Sequence, residues 1–143
     1  MKFSCYVDID VPVDKTIEIF QNPQNLQYVQ EGFVSKTLLS GEVGQEGAVS
    51  LMKYEKFDLK ETILKNNLPD EFLGLYEHEK MTNTMKVSFK ALTPTKTRYH
   101  SEIDYTILRG FMLKTLAKLF PDMFKKQVLK WMNLFKDFAE KSN

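Results

Sequence analysis

A carboxylate at position 61 is the group in this chain best suited to chemistry. In the expected strand over residues 56–65, Glu61 shares a face with Phe57, Leu59 and Ile63. A carboxylate turned into an apolar interior is held back from ionising, so its pKa rises toward the range useful for proton transfer. A bulge that turns Glu61 outward, or a place on a sheet edge, is the competing reading. Two tyrosines stand beside it as candidates. In an expected strand over residues 97–108, Tyr99 and Tyr105 alternate with charged residues and share a face with Ser101, Ile103 and Ile107. Each hydroxyl needs a partner if buried, although tyrosines that fill space and bond to backbone or water are the ordinary case. Gln127 is the one polar residue in a helical stripe that includes Phe120, Phe124, Val128 and Trp131. It either hydrogen-bonds to protein, water or ligand, or lies at the stripe's solvent edge. The candidate ligand contacts are therefore Glu61, Tyr99, Tyr105, Phe120, Phe124, Gln127 and Trp131, and Glu61 is also the one weak catalytic candidate.

Other chemistries find less support. The two histidines, His78 and His100, form no spacing with acids or thiols that would hold a metal, so neither a metal nor a cofactor is expected. Cys5 lies on an apolar strand face with no base beside it and reads as a small core residue. No nucleophile elbow or Ser-His-Asp order is present. Gly41, Gly44 and Gly47 recur at every third position and resemble a phosphate-cradling loop. Neither a helix nor a Lys-Ser/Thr pair follows, so a hairpin connection with positive φ fits better.

The elements that position these residues can be traced along the chain. Residues 3–11 alternate as a half-buried strand. Pro12 ends it and Asp14 offers a cap for a short helix with Ile17 and Phe20 inward. Asn22-Pro23 breaks that helix, and a second short one spans about 24–30. Strands follow near 33–39, 48–54, 56–65, 71–79, 84–92 and 97–108, with Met81-Thr82-Asn83 and Thr93-Pro94-Thr95 as connections. From Gly110 to Lys141 a long aromatic stripe repeats at helical spacing. Pro121 must interrupt it, either as a kink or as the first position of a restarted helix backed by Asp122. Residues 110–120 would then form a shorter helix or a lid. Sequential hairpins imply an antiparallel sheet, wrapped around that final helix.

This order, together with Val11-Pro12-Val13-Asp14, the break at Asn22-Pro23, the glycine hairpin at 41–47 and the ending Leu134-Phe135-Lys136-Asp137-Phe138, resembles the START-like, or helix-grip, superfamily of polyketide cyclase/dehydrase-type (SRPBCC) domains. The resemblance covers residues 1–143 as one domain. It implies an α+β fold: a curved antiparallel sheet of six to seven strands around a long C-terminal helix, with two short helices after the first strand. It also implies a cavity for an apolar or amphipathic ligand such as a lipid, quinone or polyketide-like molecule.

Composition narrows the partners. Twenty basic residues against nineteen acidic give a net charge of +1, so no global field recommends nucleic acid. Eleven Phe and six Tyr exceed the needs of a compact core of this size. No apolar run reaches a membrane span, so stable membrane insertion is not expected. A single cysteine and an alternating N-terminus point to a reducing cytoplasm. The leading expectation is thus a binding module for a small apolar ligand. A cyclase or dehydratase using Glu61 with a tyrosine is the second, and a protein-interaction module acting through the lysine-rich helix face is the third. Those lysines also suit a membrane surface, or a solvated back to a gripped helix.

Overall fold

The computed structural model describes residues 1–142. Seven strands form one antiparallel sheet in the order β1-β7-β6-β5-β4-β3-β2. Strand β1 (Lys2–Ile9) leads into α1 (Val13–Gln21), a 3-10 turn over Pro23–Asn25, and α2 (Leu26–Val29). Strands β2 (Phe33–Ser40), β3 (Val49–Tyr54), β4 (Asp58–Asn67), β5 (Glu71–Glu77), β6 (Met81–Thr93) and β7 (Lys96–Leu108) then follow as hairpins. Helices α3 (Phe111–Leu119) and α4 (Asp122–Lys141) complete the described chain. The expected α+β helix-grip architecture is therefore observed.

Alternation sets the inner face. On β1 the buried residues are Cys5, Val7 and Ile9, while Lys2, Ser4 and Tyr6 are exposed. Helix α4 crosses that face and buries Met132, Phe135 and Ala139. The core joins β1, β6 and β7 to α1 and α4, with Val11 and Val87 fully enclosed. Phe20 sits amid four rings, edge-on to Phe72, Phe89, Tyr99 and Phe135 at 5.2–6.0 Å between centroids. Much of the aromatic excess is spent here.

Local details depart from expectation in instructive ways. Helix α1 starts at Val13 behind Pro12, and no side chain caps it, so Asp14 serves its first turn and not its cap. Thr16 and Ile19 are its buried residues, and Ile17 and Phe20 pack part-buried against the core. Asn22 caps the 3-10 turn, accepting from the Gln24 amide at 3.0 Å. Met81-Thr82-Asn83 belongs to β6; the connection lies one step earlier, where His78 N and Met81 O pair at 2.8 Å. Phe57 precedes β4 and is exposed, so it lies outside the strand that carries Glu61. It stacks on Tyr54 at 4.7 Å. Gly41, Gly44 and Gly47 all adopt positive φ, between 76° and 86°, as the hairpin reading requires. Pro121 separates α3 from α4 and stands just before the first residue of α4.

Candidate functional site

Between the sheet and the helices lies a cavity of about 490 Å³, lined from β2 through β7 and by α1, α2 and α4. Its size falls within the range of ordinary ligand pockets. Glu61 is 5% exposed and lines it, so the inward alternative holds. A bulge does occur in β4, but at Leu64, after Ile63. It sends Leu64 outward and returns Asn66 to the cavity, leaving Glu61 undisturbed.

The carboxylate has two partners, one on each oxygen. Lys36 Nζ lies 2.8 Å from Oε1, and the Tyr76 hydroxyl donates to Oε2 at 2.8 Å. Neither partner was among the residues expected from the sequence. Lys36 points inward because β2 bulges at Val34: Phe33 pairs with Tyr54 but Ser35 pairs with Lys53, which shifts the strand's faces by one residue. Tyr76 stands directly opposite Glu61 across the β4–β5 ladder. Its ring lies over Gly74, where a Cβ would come within 2.7 Å of Cε2 and 2.8 Å of the hydroxyl. The spacing Phe72-x-Gly74-x-Tyr76 on an inner face was the available signal. Burial, and then the adjacent Glu61 charge, hold the Tyr76 hydroxyl well above its usual pKa. The phenol therefore stays protonated and donating.

A second polar pair sits nearby. The Tyr54 hydroxyl donates to Gln30 Oε1 at 2.7 Å, and burial, with Glu61 secondary, raises its pKa as well. The Trp131 ring stacks on Tyr54 at 5.8 Å. Two polar atoms among the cavity-lining residues are buried with no partner among the described residues: Trp131 Nε1 and Ser101 Oγ.

The expected site residues divide in two. Glu61, Tyr99, Tyr105 and Trp131 come together around the cavity. Burial raises the Tyr99 and Tyr105 hydroxyls, with the Cys5 thiol a lesser influence on Tyr99. Phe124 is half-buried and packs edge-on against Tyr105 at 5.1 Å, outside the lining. Phe120 and Gln127 are exposed and do not reach the cavity. Phe120 ends α3 with φ −132° and ψ 59°, so the helical phase resets before α4 and the continuous stripe is broken there. Gln127 lies at the solvent edge of α4, the second of its two readings. Ile107 also leaves the inner face, because β7 carries an extra residue at Thr106 between the pairs Thr82–Ile107 and Asn83–Tyr105. Residues 111–119 form the shorter helix α3, which contributes no residue to the cavity lining. Cys5 is packing: burial raises its thiol pKa, and Sγ donates to Met132 Sδ at 3.4 Å.

No family model matches the chain, and no curated protein matches it in sequence. Solved structures do match in shape. A START superfamily protein from Mycobacterium smegmatis superposes with a TM-score of 0.76 at 12% identity, covering 99% of each chain. The Zhui aromatase/cyclase from Streptomyces sp. R1128 gives 0.76 at 9%, covering 99% of this chain and 94% of the other. Norcoclaurine synthase from Thalictrum flavum, bound to dopamine and hydroxybenzaldehyde, gives 0.72 at 10%, covering 100% and 88%. Agreement over nearly whole chains at such low identity is a statement about architecture. The fold of this chain is the START-like helix grip.

Proposed function

We propose that the protein binds a small apolar or amphipathic molecule in the cavity between the sheet and α4. The cavity itself carries this reading: about 490 Å³ lined mainly by apolar and aromatic side chains, with a few fixed polar groups. The unpartnered Trp131 Nε1–H and Ser101 hydroxyl favour a ligand that offers hydrogen-bond acceptors, such as ring carbonyls. The cation facing the cavity at Lys36 is already neutralised by Glu61, so a neutral quinone- or polyketide-like molecule suits the site better than a fatty acid. START-like proteins include carriers of hydrophobic ligands, which agrees.

Trp131 is the single tryptophan and lines the cavity, so its fluorescence is a native probe. Titration with a neutral naphthoquinone should quench it saturably, and a saturated fatty acid should do so more weakly. Solvent extraction of the purified protein followed by mass spectrometry identifies any co-purifying molecule. Absence of saturable binding across quinones, polyketide-like phenols and lipids would remove the proposal.

The Glu61–Tyr76 bond favours one second reading, a cyclase- or dehydratase-type enzyme. A carboxylate and a protonated phenol 2.8 Å apart can serve as base and acid to one bound substrate. The Zhui aromatase/cyclase has the same fold. Once a ligand is identified, Glu61→Gln should abolish its turnover and leave its binding; full turnover in that variant would exclude the enzymatic reading.

A further inference from the structure

One end of the molecule gathers apolar and cationic side chains that the fold leaves uncovered. On α3, Leu113, Leu116 and Ala117 are half-buried, whereas Phe111 is 87% and Met112 77% exposed. Leu119 is exposed too, seven residues from Met112 and so on the same line of the helix. Phe120 and Met123, at the turn into α4, extend the apolar strip. Single exposed apolar residues are ordinary, but five within thirteen positions form a patch.

The charges beside it are one-sided. Between positions 109 and 126 stand Arg109, Lys114, Lys118, Lys125 and Lys126, against Asp122 alone, in a chain whose net charge is only +1. Lys80 joins them, because the Arg109 amide donates to the Lys80 carbonyl at 2.8 Å. Among the described residues, none of these six cations enters an ion pair, whereas Lys2, Lys15, Lys36, Lys60, Lys65, Lys96, Arg98 and, further along α4, Lys130 do. Beneath Phe111 and Met112 runs a groove of about 420 Å³, lined also by Met81, Leu113 and Leu116.

We propose that this end of the protein docks on an anionic lipid surface. Phe111, Met112 and Leu119 enter the boundary between headgroups and acyl chains, and the surrounding cations lie against lipid phosphates. A second copy of the chain fits poorly, since a two-fold interface would set six cations against six. Nucleic acid would leave the apolar strip uncovered. Docking is peripheral, because among the described residues no helix is long and apolar enough to cross a membrane. It also sets the cavity near the bilayer: Phe124 at the start of α4 packs on Tyr105, which lines the cavity. The proposal does not depend on what the cavity holds.

The test is sedimentation of the full chain with vesicles of phosphatidylcholine alone, and of phosphatidylcholine mixed equally with phosphatidylglycerol. The protein should pellet with the anionic vesicles only, and less as salt is added. Phe111→Ser with Met112→Ser should weaken binding about tenfold or more, by loss of inserted apolar surface. Lys114→Glu with Lys118→Glu should weaken it by at least about tenfold. Lys53→Glu with Lys90→Glu, an equal charge reversal on exposed sheet residues, should change it little. All four patch residues are unburied, so the variants should keep the wild-type circular dichroism. No pelleting, pelleting equal on both vesicles, or insensitivity to the patch variants would overturn the proposal. So would binding to polyglutamate without binding to vesicles, which would indicate an acidic protein partner.

Discussion

Glu61 is a charge in an apolar cavity, and its two partners decide what it contributes. Taking a carboxylate and an ammonium out of water costs several kcal/mol, and their attraction with good hydrogen bonds roughly repays it. Removing one member is therefore worse than removing both. Glu61→Leu leaves Lys36 and the Tyr76 hydroxyl unmatched and should lose about 1–3 kcal/mol, and Lys36→Met should lose a similar amount. The double variant should fall within about 1 kcal/mol of the wild type, a coupling that urea denaturation of the four proteins measures. Additive losses would show that the ion pair is not the organising contact. At this scale the sequence was half legible. Plain alternation put Glu61, Tyr99 and Tyr105 on the inner face, because β4 and β7 are regular up to those positions. Lys36 was hidden because one extra residue at Val34 reverses the faces of β2, and no composition signal marks that bulge.

Elements hold these side chains at their distances, and the closest tolerance is at Gly74. The Tyr76 ring occupies the space a side chain at 74 would need, and this directs its hydroxyl to Glu61. Gly74→Ala should push the ring aside, break the 2.8 Å bond and cost about 1–3 kcal/mol. In a Tyr76→Ala background the same change should cost far less, since the clashing ring is gone; equal costs in the two backgrounds would refute the steric account. Strand and helix order was readable throughout, from period-two runs, turn residues and the Pro121 break. What sequence period could not deliver was phase. Helix α4 buries Met132 and Ala139 beside Phe135, while Phe120 and Gln127 turn to solvent. A single stripe drawn from residue 110 to 141 misses this, because Phe120 leaves helical geometry and α4 begins with a new phase.

At the scale of the whole molecule, the aromatic share that first suggested a cavity also predicts how the fold fails at high pH. Tyr54, Tyr76 and Tyr99 all have hydroxyls held above their usual pKa of 10.0, chiefly by burial. In the unfolded chain those phenols ionise near 10; in the fold they do not. A raised folded-state pKa contributes stability that is fully present below the unfolded pKa and is lost as pH climbs toward the folded one. Stability should therefore be flat in this respect below about pH 9. Above pH 10 it should fall by about 1.4 kcal/mol per pH unit for each tyrosine, or about 4 for the three together, with Tyr105, whose hydroxyl burial also raises, adding to the slope. Denaturation curves collected across this range test it, with phenolate absorbance as a second readout. Tyr76→Phe should shallow the slope by about 1.4 kcal/mol per pH unit. A wild-type slope no steeper than that of a single tyrosine would mean that these hydroxyls reach solvent, and the largely apolar cavity inferred for this chain would have to be abandoned.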